Sequence, residues 1–260
     1  MVFSVGDTEL YYKVMGQGPP VLMLHGWGGC ADSFAPVSLR LANLFTVYAI
    51  DFPGHGQSSM PQRPWKVQDY AGVVRAFIKE MGLEGCYVVA HSFGCRVTLK
   101  LASKEPHLFA KIIFTGGAGI RPKRTFAYYR RTYSYKLAKR LAKHKWGVGL
   151  YRLFGVDVKK RVENAGSPEY KALPEHMRRT FSNIVNEDLT PCLEKIKVPT
   201  LLIWGTEDTE TPLWMGEMME KKIPDAGLVK LEGGTHFAYL EHLEQFLAVG
   251  IYFLTSEENT

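Results

Sequence analysis

Short apolar runs alternate with helical patterns along most of this chain, and that alternation leaves few folds open. Glu9–Val14, Val21–Leu24, Phe45–Ile50, Cys86–Ala90, Lys111–Thr115, Thr200–Trp204 and Leu228–Leu231 read as strands. Helical spacing fits Ser33–Asn43, Val67–Met81, Ser92–Ser103, Pro212–Lys222 and His236–Leu254. Strand–helix alternation predicts an α/β fold, a mostly parallel central sheet flanked by crossover helices. In such sheets a site forms beyond the carboxyl ends of the strands. The alternation fails once, after Arg121. Residues 121–190 therefore read as a helical lid or cap insertion, between core segments 1–120 and 191–260.

One strand end is unusual. The run Cys86–Ala90 stops at His91-Ser92-Phe93-Gly94, and a helix follows at once. This is the pattern of a nucleophile elbow, a sharp strand-to-helix turn that presents a serine hydroxyl. Ala90 and Gly94 stand two residues either side of Ser92 because the turn brings its flanking backbones together. Ser92 also sits at a helix N-terminus, where backbone N–H groups face any oxyanion formed there. Cys95, just inside the helix, reads as a small buried thiol.

A serine hydroxyl is a poor nucleophile without a base, and the base needs an orienting carboxylate. Asp208 follows the strand Thr200–Trp204, and His236 follows the strand Leu228–Leu231. The order Ser92, Asp208, His236 is the one this fold requires. Glu207 and Glu210 are alternative acids beside Asp208. The glycine-rich His25-Gly26-Trp27-Gly28-Gly29 follows the first buried strand. Its Trp27 N–H, with that of Phe93, would form an oxyanion hole. The loop Asp51-Phe-Pro-Gly-His-Gly-Gln-Ser58 reads as a structural turn.

Together His25-Gly26-Trp27-Gly28-Gly29, Asp51-x-Pro-Gly-His-Gly-x-Ser58, Ala90-x-Ser92-x-Gly94, Gly205-x-x-Asp208-x-x-x-Pro212 and Gly234-Thr-His236 resemble the α/β-hydrolase superfamily. Ala90 departs from the usual glycine, as it does in some bacterial lipases. The resemblance implies an α/β-hydrolase fold and a serine hydrolase of carboxylic esters, working through an acyl-enzyme and needing no cofactor or metal. It leaves open C–C bond hydrolysis, aminopeptidase-type amide hydrolysis, and a non-catalytic ligand-binding protein on the same scaffold.

The charge is uneven. From Arg121 to Arg161 there are fourteen Lys and Arg against one acid, Asp157, although the whole chain is only +6. The insertion is thus basic and the rest of the chain acidic. Tyr129, Tyr133, Leu137 and Leu141 recur every four residues and would line one helix face, with Lys136, Arg140 and Lys143 on another. Tyr129 and Tyr133 are the substrate-binding candidates: the aromatic face would cover the site and the Lys and Arg of the other face would be solvated, with recognition of an anionic small-molecule ester as an alternative. Peripheral contact with an anionic membrane or with a partner's acidic face is a further reading, and no nucleic-acid motif accompanies the charge.

The composition, 46% hydrophobic and 22% charged, is that of a globular protein. No apolar run approaches the roughly 18 residues of a membrane span, and Met1-Val-Phe-Ser lacks a signal-peptide pattern. These features lead to a cytoplasmic expectation. The four cysteines show no C-x-x-C spacing, so neither disulfides nor structural zinc are expected.

Overall fold

The apolar runs become strands, and the central ones are buried on both faces. The structure is a computed structural model that describes residues 1–121 and 173–256, with isolated positions at 130, 133, 134, 136, 137 and 140. The strands are β1 (Val2–Val5), β2 (Thr8–Met15), β3 (Pro20–Leu24), β4 (Thr46–Ile50), β5 (Cys86–His91), β6 (Phe109–Thr115), β7 (Thr200–Gly205) and β8 (Ala226–Leu231). They form one sheet in the order β1-β2-β4-β3-β5-β6-β7-β8. Pairing is antiparallel at β1/β2 and β2/β4, and parallel from β4 to β8.

Period-two alternation sends neighbouring side chains to opposite sides of the sheet. In β3, Leu22 and Leu24 join one core while Val21 and Met23 join the other. In β7, Leu202 and Trp204 divide from Leu201 and Ile203 in the same way. Helices α1 (Val67–Glu80), α2 (Phe93–Ala102) and α3 (Trp214–Lys222) supply the first core, through residues such as Tyr70, Phe77, Val97 and Met219. The last helix, α4 (Leu243–Thr255), supplies Phe246, Leu247 and Leu254 to the second. This architecture is the expected α/β fold with a mostly parallel, helix-flanked sheet.

Two local expectations change. A strand not expected from the sequence forms at the edge: β1 carries no fully buried residue, so its apolar signal is weak. The single helix expected from His236 is instead broken. Ala238–Glu241 forms one turn, and His242 (φ −115°, ψ 46°) interrupts the chain before α4. The Glu241 carboxylate reaches back to accept Thr235 N–H at 2.7 Å and the Thr235 hydroxyl, which closes that turn. His236 is thereby left outside the helix.

A buried lysine ties the last helix to the sheet. Lys111 in β6 is 6% exposed. Its Nζ donates to Phe253 O at 2.8 Å and to Ser256 O at 2.5 Å, at the carboxyl end of α4. A cation there meets carbonyls left without an intrahelical partner and the negative end of the helix dipole.

The chain divides into two compact units, Met1–Arg121 with Arg179–Thr260, and Pro122–Arg178. Positions 130, 133, 134, 136, 137 and 140 are helical. Most of the expected lid, including Tyr129 and Leu141, lies outside the described residues. Tyr133 is 65% exposed, with Lys136 Nζ 5.8 Å from its ring centroid.

Candidate active site

At the carboxyl end of β5 the backbone takes a conformation that ordinary residues avoid. Ser92 has φ 47° and ψ −102°, the only positive φ of a non-glycine among the described residues. Strain of this kind persists only where neighbours over-determine it. Here Ser92 N–H donates to Thr115 O at 3.2 Å, and Ser92 O accepts from Ala118 N–H at 3.2 Å. Gly94 N–H donates to His25 O at 3.1 Å. Phe93 opens α2, so no preceding helical turn offers its N–H an acceptor. Cys95 lies beneath the turn, its Sγ 3.1 Å from Ala90 O, and burial pushes its thiol pKa up.

The loop after β3 lies beside this turn. Gly29 N–H donates to Gly26 O at 3.1 Å, and Gly28 has φ +78°, which suits glycine at that place in a tight turn. Trp27 N–H belongs to the middle of the turn, outside its closing bond. His25 anchors the loop. Its Nε2 accepts Phe52 N–H at 2.9 Å, so Nδ1 carries the proton and donates to Gly26 O at 2.6 Å. The Trp27 ring rests against His55, Phe93 and Phe181, with centroids 4.6, 5.5 and 5.3 Å away.

Asp51 organises the next loop. Its Oδ1 accepts Ala31 N–H at 2.6 Å and its Oδ2 accepts Gln57 N–H at 2.7 Å. Ser58 Oγ donates back to Asp51 O at 2.6 Å. A methyl on Gly56 would meet the same carboxylate, and Gly56 also has φ +51°. These bonds make the loop a brace.

Asp208 and His236 meet after β7 and β8. His236 Nδ1 lies 2.8 Å from Asp208 Oδ2, and both side chains are buried. The carboxylate can only accept, so the proton sits on Nδ1. Asp208 takes three further bonds: Glu210 N–H at 2.9 Å and Thr211 N–H at 2.8 Å to Oδ1, and Thr211 Oγ1–H at 2.8 Å to Oδ2. Burial pushes the Asp208 carboxyl up, but the bonds from His236 and Thr211 outweigh it and hold the pKa below the usual 3.8. Of the three acids in this loop, Asp208 is the one bonded to His236 Nδ1. Glu210 takes a different place, its Oε2 3.4 Å from His236 Nε2. No hydrogen bond joins Ser92 Oγ to His236 among the described residues.

The sequence reading passed over Thr211 and His91. Thr211 is fixed by Trp204 Nε1–H, which donates to its carbonyl at 2.7 Å. His91 packs beside His236, ring centroids 4.7 Å apart. Each stands at an unspecified position of its motif, His91 between Ala90 and Ser92 and Thr211 just before Pro212, so only three-dimensional proximity reveals them.

Two of the site's histidines set an acid limit on stability. Burial, with smaller effects from nearby rings, pushes His25 and His91 down to about 3 from the ordinary 6.5. Each is protonated below 6.5 in the unfolded chain but stays neutral in the folded one until about 3. The unfolded state then binds more protons, so folding stability falls as pH drops through that window. Two such groups give a limiting slope of about 3 kcal/mol per pH unit. Urea melts from neutral pH down to roughly pH 5 should show this fall, and a shallower one in a His91→Gln variant, where His25 and His55, the latter also held below 6.5 by burial, still contribute. A flat profile would overturn the assignment of both rings as neutral.

Comparison with known proteins agrees with this fold. The sequence model of the alpha/beta hydrolase fold matches residues 19–243. The pimeloyl-[acyl-carrier protein] methyl ester esterase of Nitrosospira multiformis is 26% identical, over 94% of this chain and 97% of that protein. The pyrrolizixenacetamide deacetylase of Xenorhabdus hominickii is also 26% identical, over 98% of each chain. Among solved structures, an esterase from Exiguobacterium antarcticum superposes with a TM-score of 0.75 at 21% identity, covering 98% of both chains. With its sheet order, its strained serine turn and this match over most of its length, the chain belongs to the α/β-hydrolase fold family.

Proposed function

We propose that this protein is a serine hydrolase of carboxylic esters, with Ser92 as nucleophile, His236 as base and Asp208 as orienting acid. The observation that carries the reading is the strained Ser92 turn, set at the same sheet edge as a buried His236–Asp208 pair. In this mechanism His236 Nε2 takes the Ser92 proton as Oγ attacks the ester carbonyl. The oxyanion is held by the N–H groups of Trp27 and Phe93, a contribution of about 3 kcal/mol per donor to transition-state stabilisation. The alcohol leaves with the proton from His236, and water then cleaves the acyl-enzyme with His236 again as base. Asp208 keeps the proton on Nδ1, so Nε2 is the ring nitrogen able to accept. The Ser92–His236 bond forms when substrate binds, a tightening common in such sites. The esterase name carried by the Nitrosospira relative supports an ester substrate. The basic stretch from Arg121 to Arg161 supports a small ester bearing negative charge.

The test is hydrolysis of p-nitrophenyl esters from acetate to laurate, alongside fluorophosphonate labelling. Wild-type protein should turn over part of the series and take one label, and Ser92→Ala should lose both. Wild-type protein that neither turns over nor labels would refute the proposal.

A further inference from the structure

We propose that His91 is a positioning residue, which sets the distance between the nucleophile and the base by holding the main chain of the His236 loop. The inference rests on the roles given to Ser92 and His236 above. His91 ends β5 and is joined to Ser92 by a peptide bond. At its other end, Nε2 lies 2.9 Å from His236 O. A carbonyl only accepts, so Nε2 carries the proton and Nδ1 is bare. One side chain therefore bridges the two residues whose separation proton transfer depends on, through a covalent link on one side and a hydrogen bond on the other.

The surroundings leave the ring little freedom. His91 is 3% exposed. Its ring centroid lies 4.7 Å from that of His236, 4.9 Å from Tyr239 and 5.3 Å from Phe237. On the opposite side a methyl at Gly26 would come within 2.7 Å of Nδ1. The ring is thus wedged between the loop bearing Trp27 and the loop bearing His236. Its neutrality suits the place, because a second cation here would oppose protonation of His236 during turnover. Burial holds His91 down to about 3, far below any working pH. A shift of an ångström in such a pair can cost about a hundredfold in rate.

The experiment compares three variants at the position, with ester hydrolysis as the readout. Gln places an amide N–H where Nε2–H stood. Asn carries the same group one bond short of His236 O. Phe keeps a ring and loses the donor. His91→Gln should keep kcat within about threefold of wild type, while His91→Phe and His91→Asn should lose about tenfold to a hundredfold in kcat with KM within twofold. The Asn variant keeps the comparison decisive if the Phe variant does not fold. Equal losses in Gln and Asn would overturn the proposal, since packing and not the donor would then matter. Wild-type kcat in Asn or Phe would overturn it as well. A Ser92→Ala protein that still hydrolyses the ester would instead refute the parent reading, whatever the His91 variants do.

Discussion

Asp208→Asn should lower kcat by about a thousandfold to ten-thousandfold, with little change in KM. The size follows from how the side chain is held. Oδ1 accepts two backbone N–H groups, from Glu210 and Thr211, which accept nothing in return. An asparagine must turn its carbonyl oxygen toward them. Its NH2 then occupies the place of Oδ2, facing His236 Nδ1 and Thr211 Oγ1. His236 Nδ1 must become the acceptor, and the ring proton moves to Nε2. An Nε2 that already bears a proton cannot take one from Ser92. Steady-state kinetics check the effect, and an unchanged melting temperature would show that the fold survives. A loss below tenfold would mean that Asp208 does not set the tautomer.

Gly94→Ala should cost stability as well as activity. A methyl there would stand 2.1 Å from Leu24 O and 2.7 Å from Leu24 C, in the backbone of a central strand. No side-chain rotation relieves that overlap, so α2 must move away from β3 and open the turn at Ser92. Overpacking of this kind costs up to about 3 kcal/mol. For a domain of this size that lowers Tm by roughly 6–12 °C. Gly227 in β8 is the control, because a methyl there meets nothing within 4 Å. Calorimetry should show a large drop for Gly94→Ala and almost none for Gly227→Ala. Equal melting temperatures would overturn the account of the turn.

Much of this was legible in the sequence because the physics is local. A strand covered on both faces must be apolar along its length, so β3, β5 and β7 announce themselves. The Ser92 turn shows because its close backbone approach at Gly94 excludes a side chain. Asp208 and His236 show by their position after strands. What stayed hidden depends on contacts between distant segments. Thr211 and Asp208 are neighbours in sequence, but the value of the threonine hydroxyl appears only once His236 arrives. The bond from His91 to His236 O spans 145 residues and has no spacing rule. The helix break at His242 depends on Glu241 reaching back to Thr235, against a periodic pattern that runs straight through. The 3.4 Å approach of Glu210 to His236 Nε2, where the serine would be expected, also has no sequence signal.

The buried Lys111 bears on how the chain is made. Its ammonium lies in β6, yet its carbonyl partners at Phe253 and Ser256 are 142 and 145 residues downstream. During translation the sheet core is synthesised first, and that charge has no acceptors until the last helix leaves the ribosome. At usual elongation rates the interval is roughly 7–30 s. A nascent chain that closed β6 into the core in that time would bury an unpaired cation, which is strongly unfavourable. The bonds that pair this buried lysine therefore exist only once the helix Leu243–Thr255 is in place.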